Sequence, residues 1–495
     1  MPLSPAPLLP GTSPLPAPGQ RPPDRRALRL GAFIALPVLL AAFALGPFVL
    51  NPLIFLAPRF QAQSGSGVPQ SGAAPFQGFV YSWTRPQRGG GYTTPASLQN
   101  MRSQATLFHM NTIIIPVVAD MPVRSDPYIA WRNTDKNDIH TLPQSDYAQA
   151  IKDARAAGLV PILELVVKQQ DQDSYGDDSS TLVGKPWAGY GSNITFANGS
   201  LITLERGWFN NYTAFAVAYA QLSQQNHLPY FIFGDGLTSL TYDTSDTSAK
   251  TDPAGIDHGV PGENFANCSG RRDCEWRHVI HAIRSPGYAT FLGHQSRTGG
   301  GYTGQLIYAA NWTGADQSGI STPEFEGISW WDAVDIIGVD AYFPLTQNLA
   351  APGIQTLESA WHGVGQDLAL KQGQNDIYDR LAKVAAQYNK QILFTGAGYA
   401  SSPGANNNPG QLGGSGNGTD TTEQENDMVA LLQTFATASW WDGVFWNGDQ
   451  PLAPRSSQPN WQTDSNWAGD TLATSKPAGQ WLNQNESSNP MSCAC

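Results

Sequence analysis

Four aspartates stand at the ends of short apolar runs, where their carboxyls could do acid–base chemistry. Asp120, Asp235, Asp340 and Asp449 each close a segment with the pattern of a β-strand. Two carboxyls held across a cleft can act as a general acid and a general base, or as an acid and a nucleophile. Such aspartates also cap helices or hydrogen-bond within loops, and we favour that role for each. Strand alternation predicts that Asp235 turns away from the cleft, and Asp340 is the best candidate for a polar ligand contact.

Aromatic and amide side chains gather at the same predicted strand ends. A sugar ring presents a face of C–H groups that packs on an aromatic ring, while its hydroxyls need polar partners. Packing in the core is the alternative for any one aromatic, and we expect it for about half of them. The predicted sugar-binding residues are Trp83, Trp312, Tyr342, Tyr399 and Trp446, with Asn311 and Asn447.

The cysteines and histidines predict no metal site and no cofactor. Cys268 and Cys274 bracket a short loop and predict a local disulfide bond in an oxidising compartment. A metal site built from that pair and the terminal pair, Cys493 and Cys495, is the alternative, but no nearby histidine completes it. His109, His140 and His227 lack metal-ligand spacing. His278 and His281 lie three apart on a probable helix, and we favour solvated or capping roles for them over a metal site.

Eight apolar runs alternate with helical patterns, which is typical of repeated βα units. Eight such units are what a closed (β/α)8 barrel, the TIM barrel, requires. A doubly wound open sheet is the alternative, but no glycine-rich phosphate turn follows the first strand. The predicted strands are 79–83, 111–118, 159–166, 229–235, 305–311, 333–340, 391–396 and 443–446.

Loop lengths indicate which end of this barrel carries the function. The connections from helix to strand are short, whereas three of those from strand to helix are long, at 168–207, 237–272 and 343–374. Barrel enzymes build their sites from strand-to-helix loops. We therefore expect the site at the carboxyl ends of the strands.

The N-terminal part of the chain predicts a membrane anchor. Arginines precede an uncharged run from Leu30 to Leu50, which is about the length that spans a bilayer core. Positive charge on the N-terminal side of such a run favours export of the residues that follow it. A cleaved signal peptide is the alternative, although the run is long for one. A net charge of −12 argues against nucleic acid as a partner. The predicted parts are a disordered cytoplasmic tail at 1–29, a transmembrane anchor at 30–56, a linker at 57–75, an extracytoplasmic barrel at 76–450 and a C-terminal extension at 451–495.

Two long segments resemble glycoside hydrolase family 113, the β-mannanase-like barrels. They are LIYAANW at 306–312 and SWWDAVDIIGVDAYFPL at 329–345. Two weaker matches are FIFGDGL at 231–237 and ILFTGAGYAS at 392–401. The resemblance extends from about Gly78 to Trp446, and it implies a retaining glycosidase barrel that binds a polysaccharide or oligosaccharide.

The same resemblance implies that both catalytic glutamates are replaced. The family's general acid/base falls on Gly236 and its nucleophile on Gly396, and glycine can supply neither a proton nor a nucleophile. The third strand also departs from the family pattern at Glu164-Leu165-Val166.

Two functions from different classes follow. The first is an anchored, sugar-binding barrel that has lost hydrolysis, and we prefer it because losing both groups removes most of the rate. The second is an active glycosidase that uses Asp340, Asp235, Asp449 or a loop carboxylate, for example as an inverting pair. A protein-interaction domain is a third, but it explains the aromatics poorly.

Overall fold

A computed structural model of the chain describes fifteen stretches that together carry the barrel and its helices. Those stretches are 76–81, 91–121, 128–131, 142–169, 193–195, 201–241, 268–286, 290–292, 295–297, 300–314, 322–346, 352–363, 376–409, 419–447 and 477–485. Among the helices in them, none is both long and apolar enough to cross a bilayer. The predicted tail, anchor and linker lie outside the described residues.

Eight strands close into one barrel, in the order β1-β12-β11-β10-β9-β6-β3-β2. Every neighbouring pair is parallel, including the pair of β1 and β12 that closes the ring. The predicted barrel is therefore confirmed, and the open-sheet alternative is wrong. The barrel strands are β1 (Phe76–Val80), β2 (Thr112–Met121), β3 (Val160–Gln169), β6 (Tyr230–Asp235), β9 (Gln305–Asn311), β10 (Ile336–Asp340), β11 (Ile392–Ala397) and β12 (Trp441–Asn447).

Helices and two small hairpins follow the strands. One hairpin pairs β4 (Asn193–Thr195) with β5 (Leu201–Thr203), and the other pairs β7 (Thr290–Leu292) with β8 (Gln295–Arg297). A 3₁₀ turn covers Trp331–Ala333. The α-helices are α1 (Pro95–Leu107), α2 (Gln144–Ala156), α3 (Leu204–Gln225), α4 (Thr238–Thr241), α5 (Arg271–Arg284), α6 (Glu324–Gly327), α7 (Ile354–Trp361), α8 (Ile377–Tyr388), α9 (Thr421–Phe435) and α10 (Pro477–Asn485).

Local sequence signals set the ends of these helices. The Asp376 side chain caps α8 by accepting a hydrogen bond from the Asp379 amide at 2.8 Å, and the left-handed Asn389 ends it. Past the end of α2, Gly158 has a φ of +84°, which glycine adopts without steric cost. Both turns lead directly into the next strand, so the helix-to-strand connections stay short.

Two apolar clusters divide the molecule into layers. The barrel-interior cluster draws residues from all eight strands and from no helix: Phe76, Val80, Ile114, Ile162, Ile232, Ile307, Ala309, Ile336, Leu393 and Phe445. The other cluster, the helix-facing core, holds the opposite faces of the strands and the apolar sides of the helices. Its centre is aromatic, with Trp276 stacked on Trp330 at 5.2 Å between ring centroids.

Candidate functional site

The eight strands all point the same way, so their carboxyl ends meet at one rim of the barrel, which we call the mouth. Five neighbouring strands, β6, β9, β10, β11 and β12, end at this rim, and four of them end in a polar residue: Asp235, Asn311, Asp340 and Asn447. This is the end at which the sequence predicts the site.

A β-bulge turns Asp235 into the barrel. Between the Ile232–Ile307 and Asp235–Ala309 partners, β6 advances three residues while β9 advances two. A side chain at Gly234 would face the helix layer, since its Cβ would lie 2.7 Å from the Tyr212 hydroxyl. Asp235 consequently hydrogen-bonds to Asp340, and the predicted outward orientation is wrong.

Three carboxyls meet inside the mouth, which we call the carboxyl cluster: Glu164 of β3, Asp235 and Asp340. Glu164 is only 5% exposed, and burial raises its pKa well above the ordinary value, with a further rise from the charge of Asp235. Burial also raises the pKa of Asp340 well above the ordinary value, followed by the charge and hydrogen bond of Asp235 and then the charge of Glu164. The Thr395 hydroxyl donates to Asp340 Oδ1 at 2.9 Å and opposes that rise.

Burial and the repulsion between like charges both favour the protonated forms of Glu164 and Asp340. Carboxyl groups in hydrogen-bond contact lie about 2.5–3 Å apart. Retaining glycosidases hold their pair at about 5–5.5 Å, and inverting ones at about 6.5–9.5 Å. The side-chain hydrogen bond with Asp235 raises the pKa of Asp340, as expected of two carboxyls that titrate as a pair.

Gly396 borders this cluster at the position that the resemblance gives to the nucleophile. The pairing of β10 with β11 jumps from Val339–Phe394 to Asp340–Gly396, so a bulge lies here as well. A Cβ at Gly396 would lie 3.2 Å from Asp340 Oδ1 and 2.9 Å from the Tyr342 hydroxyl. A side chain at Gly396 would therefore start beside Asp340, and glycine leaves that place without a carboxyl.

Gly236, at the corresponding acid/base position, has a backbone that disfavours a side chain. Its φ is +57°, in the left-handed region, and its amide donates to the carbonyl of Ala309 at 2.9 Å. A glutamate there would carry a steric cost of about 1–2 kcal/mol. The turn after β6 is thus shaped for glycine rather than for a catalytic glutamate.

The other predicted site residues divide between the mouth and the core. Asn311, Trp312, Tyr342 and Asn447 are partly exposed at the mouth, where Asn447 Nδ2 donates to the Tyr342 hydroxyl at 2.6 Å. Tyr399 and Trp446 are each 2% exposed and lie in the helix-facing core. Asp120 is fully buried, and its backbone pairs with Ala130. Trp83 and Asp449 lie outside the described residues.

Sequence reasoning missed Glu164 as a site residue. Its signal was present, because an acid inside the apolar run VPILELVV needs a buried partner. The partners come from β6 and β10, which are distant in the chain, so only the closed barrel shows them.

The remaining sequence features are the cysteine pair and the possible metal ligands. A disulfide bond joins Cys268 to Cys274, whose Cα atoms are 5.2 Å apart. Within the described stretches, no group of three or more His, Cys, Asp or Glu is arranged to hold a metal ion.

The sequence of this barrel matches a known family over its second half. Residues 265–465 match the model of Glycoside Hydrolase Family 113. Over this segment, the chain is similar to glycoside hydrolase family 113. The segment includes β9 to β12 and Gly396, whereas Gly236 and the carboxyl cluster residues Glu164 and Asp235 precede it.

Solved family 113 enzymes have the same fold. One is a GH113 β-1,4-mannanase, with a TM-score of 0.56 and 15% identity over 83% of this chain and 98% of that one. Another is the GH113 β-mannanase AaManA of Alicyclobacillus acidocaldarius, with a TM-score of 0.56 and 18% identity over 86% of this chain and 99% of that one. No curated protein sequence matches the chain significantly.

Proposed function

We propose that the chain is a membrane-anchored, extracytoplasmic barrel that binds a polysaccharide or oligosaccharide at its mouth and no longer hydrolyses it. The observation that carries the proposal is the pair of glycines at the mouth, Gly236 and Gly396, where the family 113 resemblance implies carboxyls. The carboxyl cluster supports it, because the side chains of Asp235 and Asp340 hydrogen-bond and are not separated by the width of a sugar linkage.

The ligand class follows from what surrounds the mouth. Trp312 and Tyr342 are partly exposed, although Trp312 also packs against the helix-facing core and Phe343, and the Asn447 amide hydrogen-bonds to Tyr342. Asn311 directly precedes Trp312 in the chain. Aromatic faces flanked by amides suit the C–H and hydroxyl groups of a neutral sugar. Structures similar to this barrel are named as β-mannanases, so a β-1,4-linked mannose chain is the first ligand to examine.

Replacing Trp312 with alanine should weaken the binding of mannopentaose to the full chain about tenfold or more, since a packed aromatic contributes about 0.5–1.5 kcal/mol beyond the area it buries. Isothermal calorimetry measures this change. Trp440→Ala is the matched control, because Trp440 is also partly exposed but precedes the amino end of β12, at the opposite end of the barrel.

The control should bind as the unsubstituted chain does. Equal affinity of the unsubstituted chain and Trp312→Ala would contradict the proposed mouth. If neither binds mannopentaose but both bind another oligosaccharide of a mixed panel, the same comparison is made with that sugar.

An active glycosidase is the second candidate, and the raised pKa of Asp340 favours it. A carboxyl whose pKa is raised well above its ordinary value is suited to donate a proton to a leaving oxygen. This candidate still requires a nucleophile or base across the opening, and Asp235 is too close to serve while it hydrogen-bonds to Asp340.

The anchor is proposed from the uncharged run at 30–50 and its arginine-rich flank. Alkaline extraction of membranes from cells that express the full chain should leave it in the pellet. Recovery in the soluble fraction would contradict the anchor.

A further inference from the structure

Glu324, which is not part of the carboxyl cluster, hydrogen-bonds both to β9 and to the helix α4 that follows β6. It begins the short helix α6, is fully buried and accepts four hydrogen bonds. Thr238 Oγ1 and the Asn311 amide donate to Oε2 at 2.7 and 2.9 Å. Thr241 Oγ1 and the Tyr308 hydroxyl donate to Oε1 at 2.9 and 2.8 Å. The donors come from α4, which follows β6, and from β9.

One further hydrogen bond connects Tyr308, a partner of Glu324, to the turn that carries Gly236. The Tyr308 hydroxyl also accepts a hydrogen bond from the Leu237 amide at 3.0 Å. The turn that follows Asp235 is therefore fixed by one hydroxyl that itself contacts Glu324. The other oxygen of Glu324 fixes the backbone of Asn311, a predicted ligand residue at the mouth.

The electrostatics of Glu324 make these contacts sensitive to protons. Burial raises its pKa from the ordinary value of 4.5 to about 7, although the hydrogen bonds from Asn311, Thr238, Tyr308 and Thr241 each lower it. The nearest acid on α6, Glu326, is paired with Arg380 of α8.

Protonation changes the four contacts unequally. A protonated carboxyl must donate from one oxygen, and the Asn311 amide cannot accept. The hydroxyls of Tyr308, Thr241 and Thr238 can turn to accept, and Oε1, which faces two of them, is the oxygen better placed to carry the proton. Tyr308 then turns its own proton elsewhere, and its bond to the Leu237 amide is disturbed.

We infer that Glu324 is a positioning residue: its carboxylate holds the ends of β6 and β9 in place at the mouth, and uptake of one proton loosens the turn after β6. The loosening is local. Since the folded pKa lies above the unfolded one, protonation of Glu324 stabilises the fold as a whole, and this contribution is lost as the pH rises through about 7.

Hydrogen–deuterium exchange of the full chain tests this inference without any sugar. Peptides covering 236–241 and 308–313 report on the Leu237 and Asn311 amides, after correction for the intrinsic pH dependence of exchange. In the unsubstituted chain, protection of 236–241 should be about tenfold lower at pH 5.5 than at pH 8.5, the effect of losing the hydrogen bond from the Leu237 amide to Tyr308.

Glu324→Gln should lower this protection at pH 8.5 and remove its pH dependence, because glutamine resembles the protonated acid. Glu326→Gln on the same helix is the matched control and should behave as the unsubstituted chain does. Tyr308→Phe should lower protection of 236–241 at both pH values. Equal protection of 236–241 at both pH values in the unsubstituted chain overturns the inference, and so does a pH dependence that persists in Glu324→Gln.

The effect on ligand binding rests on the function proposed above. If the mouth binds mannopentaose, the affinity should fall below pH 7 in the unsubstituted chain and stay at its low-pH value in Glu324→Gln. A chain that binds no sugar but shows the exchange pattern contradicts the proposed function alone. Binding with a flat exchange profile contradicts this inference alone.

Discussion

Replacing Glu164 with glutamine is expected to increase the free energy of unfolding at pH 8 and to leave it nearly unchanged at pH 4. Glutamine has the shape of the protonated acid and no charge. Burial, and then the charge of Asp235, raises the pKa of Glu164 well above its ordinary value, so the ionised form is unfavourable in the folded chain.

The direction of the pH dependence follows from linkage. A group whose folded pKa is raised contributes stability that is fully present below its unfolded pKa of about 4.3 and is lost as the pH rises through the folded value. Between the unfolded and the folded pKa, the free energy of unfolding falls by about 1.4 kcal/mol for each pH unit. The unsubstituted chain should therefore lose stability from pH 4.3 upward, and Glu164→Gln should lose less.

Urea unfolding at several pH values measures this difference. Glu358→Gln on α7 is the control, since Glu358 is partly exposed on a surface helix away from the mouth. If the free energy of unfolding has the same pH dependence in the unsubstituted chain and in Glu164→Gln, the raised pKa of Glu164 is contradicted.

Replacing Gly443 with alanine is expected to prevent normal closure of the barrel. Gly443 of β12 has a φ of +123° and pairs with Phe76 of β1, the first strand of the barrel. A Cβ there would lie 2.0 Å from the Phe76 carbonyl oxygen, which is backbone and cannot rotate away. The strained backbone alone costs about 1–3 kcal/mol, and the clash adds to it.

Gly353→Ala is the matched control, because its Cβ would meet no atom within 4 Å and its φ is −71°. The control should unfold at the same urea concentration as the unsubstituted chain, whereas Gly443→Ala should unfold at a much lower one or fail to fold. An unchanged midpoint for Gly443→Ala would contradict the described junction of β1 and β12.

The barrel was accessible to sequence reasoning because its signals are local. Runs such as NTIIIPVV are buried on both faces, as strands of a parallel sheet must be, and caps such as Asp376 mark the helices between them. Long strand-to-helix loops then identify the functional end. None of these inferences requires knowledge of which residues meet across the barrel.

The side chains that face into the mouth were harder to predict from the sequence, because their orientation depends on strand register. Bulges in β6 and at the β10–β11 pairing aim Asp235 inward and place Gly396 beside Asp340, and no sequence pattern marks either bulge. Trp446 ends a strand as predicted, but it follows the inward Phe445 and so faces the helices. Residues that act together here, such as Glu164 and Asp340, come from strands far apart in the chain.

Release of reducing sugar by the full chain from mannan and a mixed polysaccharide panel, compared with a heat-denatured sample, tests the central claim most directly. The two glycines at the mouth and the contact between Asp235 and Asp340 predict no release above the denatured control. Release well above that control, abolished by Asp340→Asn, would contradict the account and show that carboxyls other than those of the family perform hydrolysis.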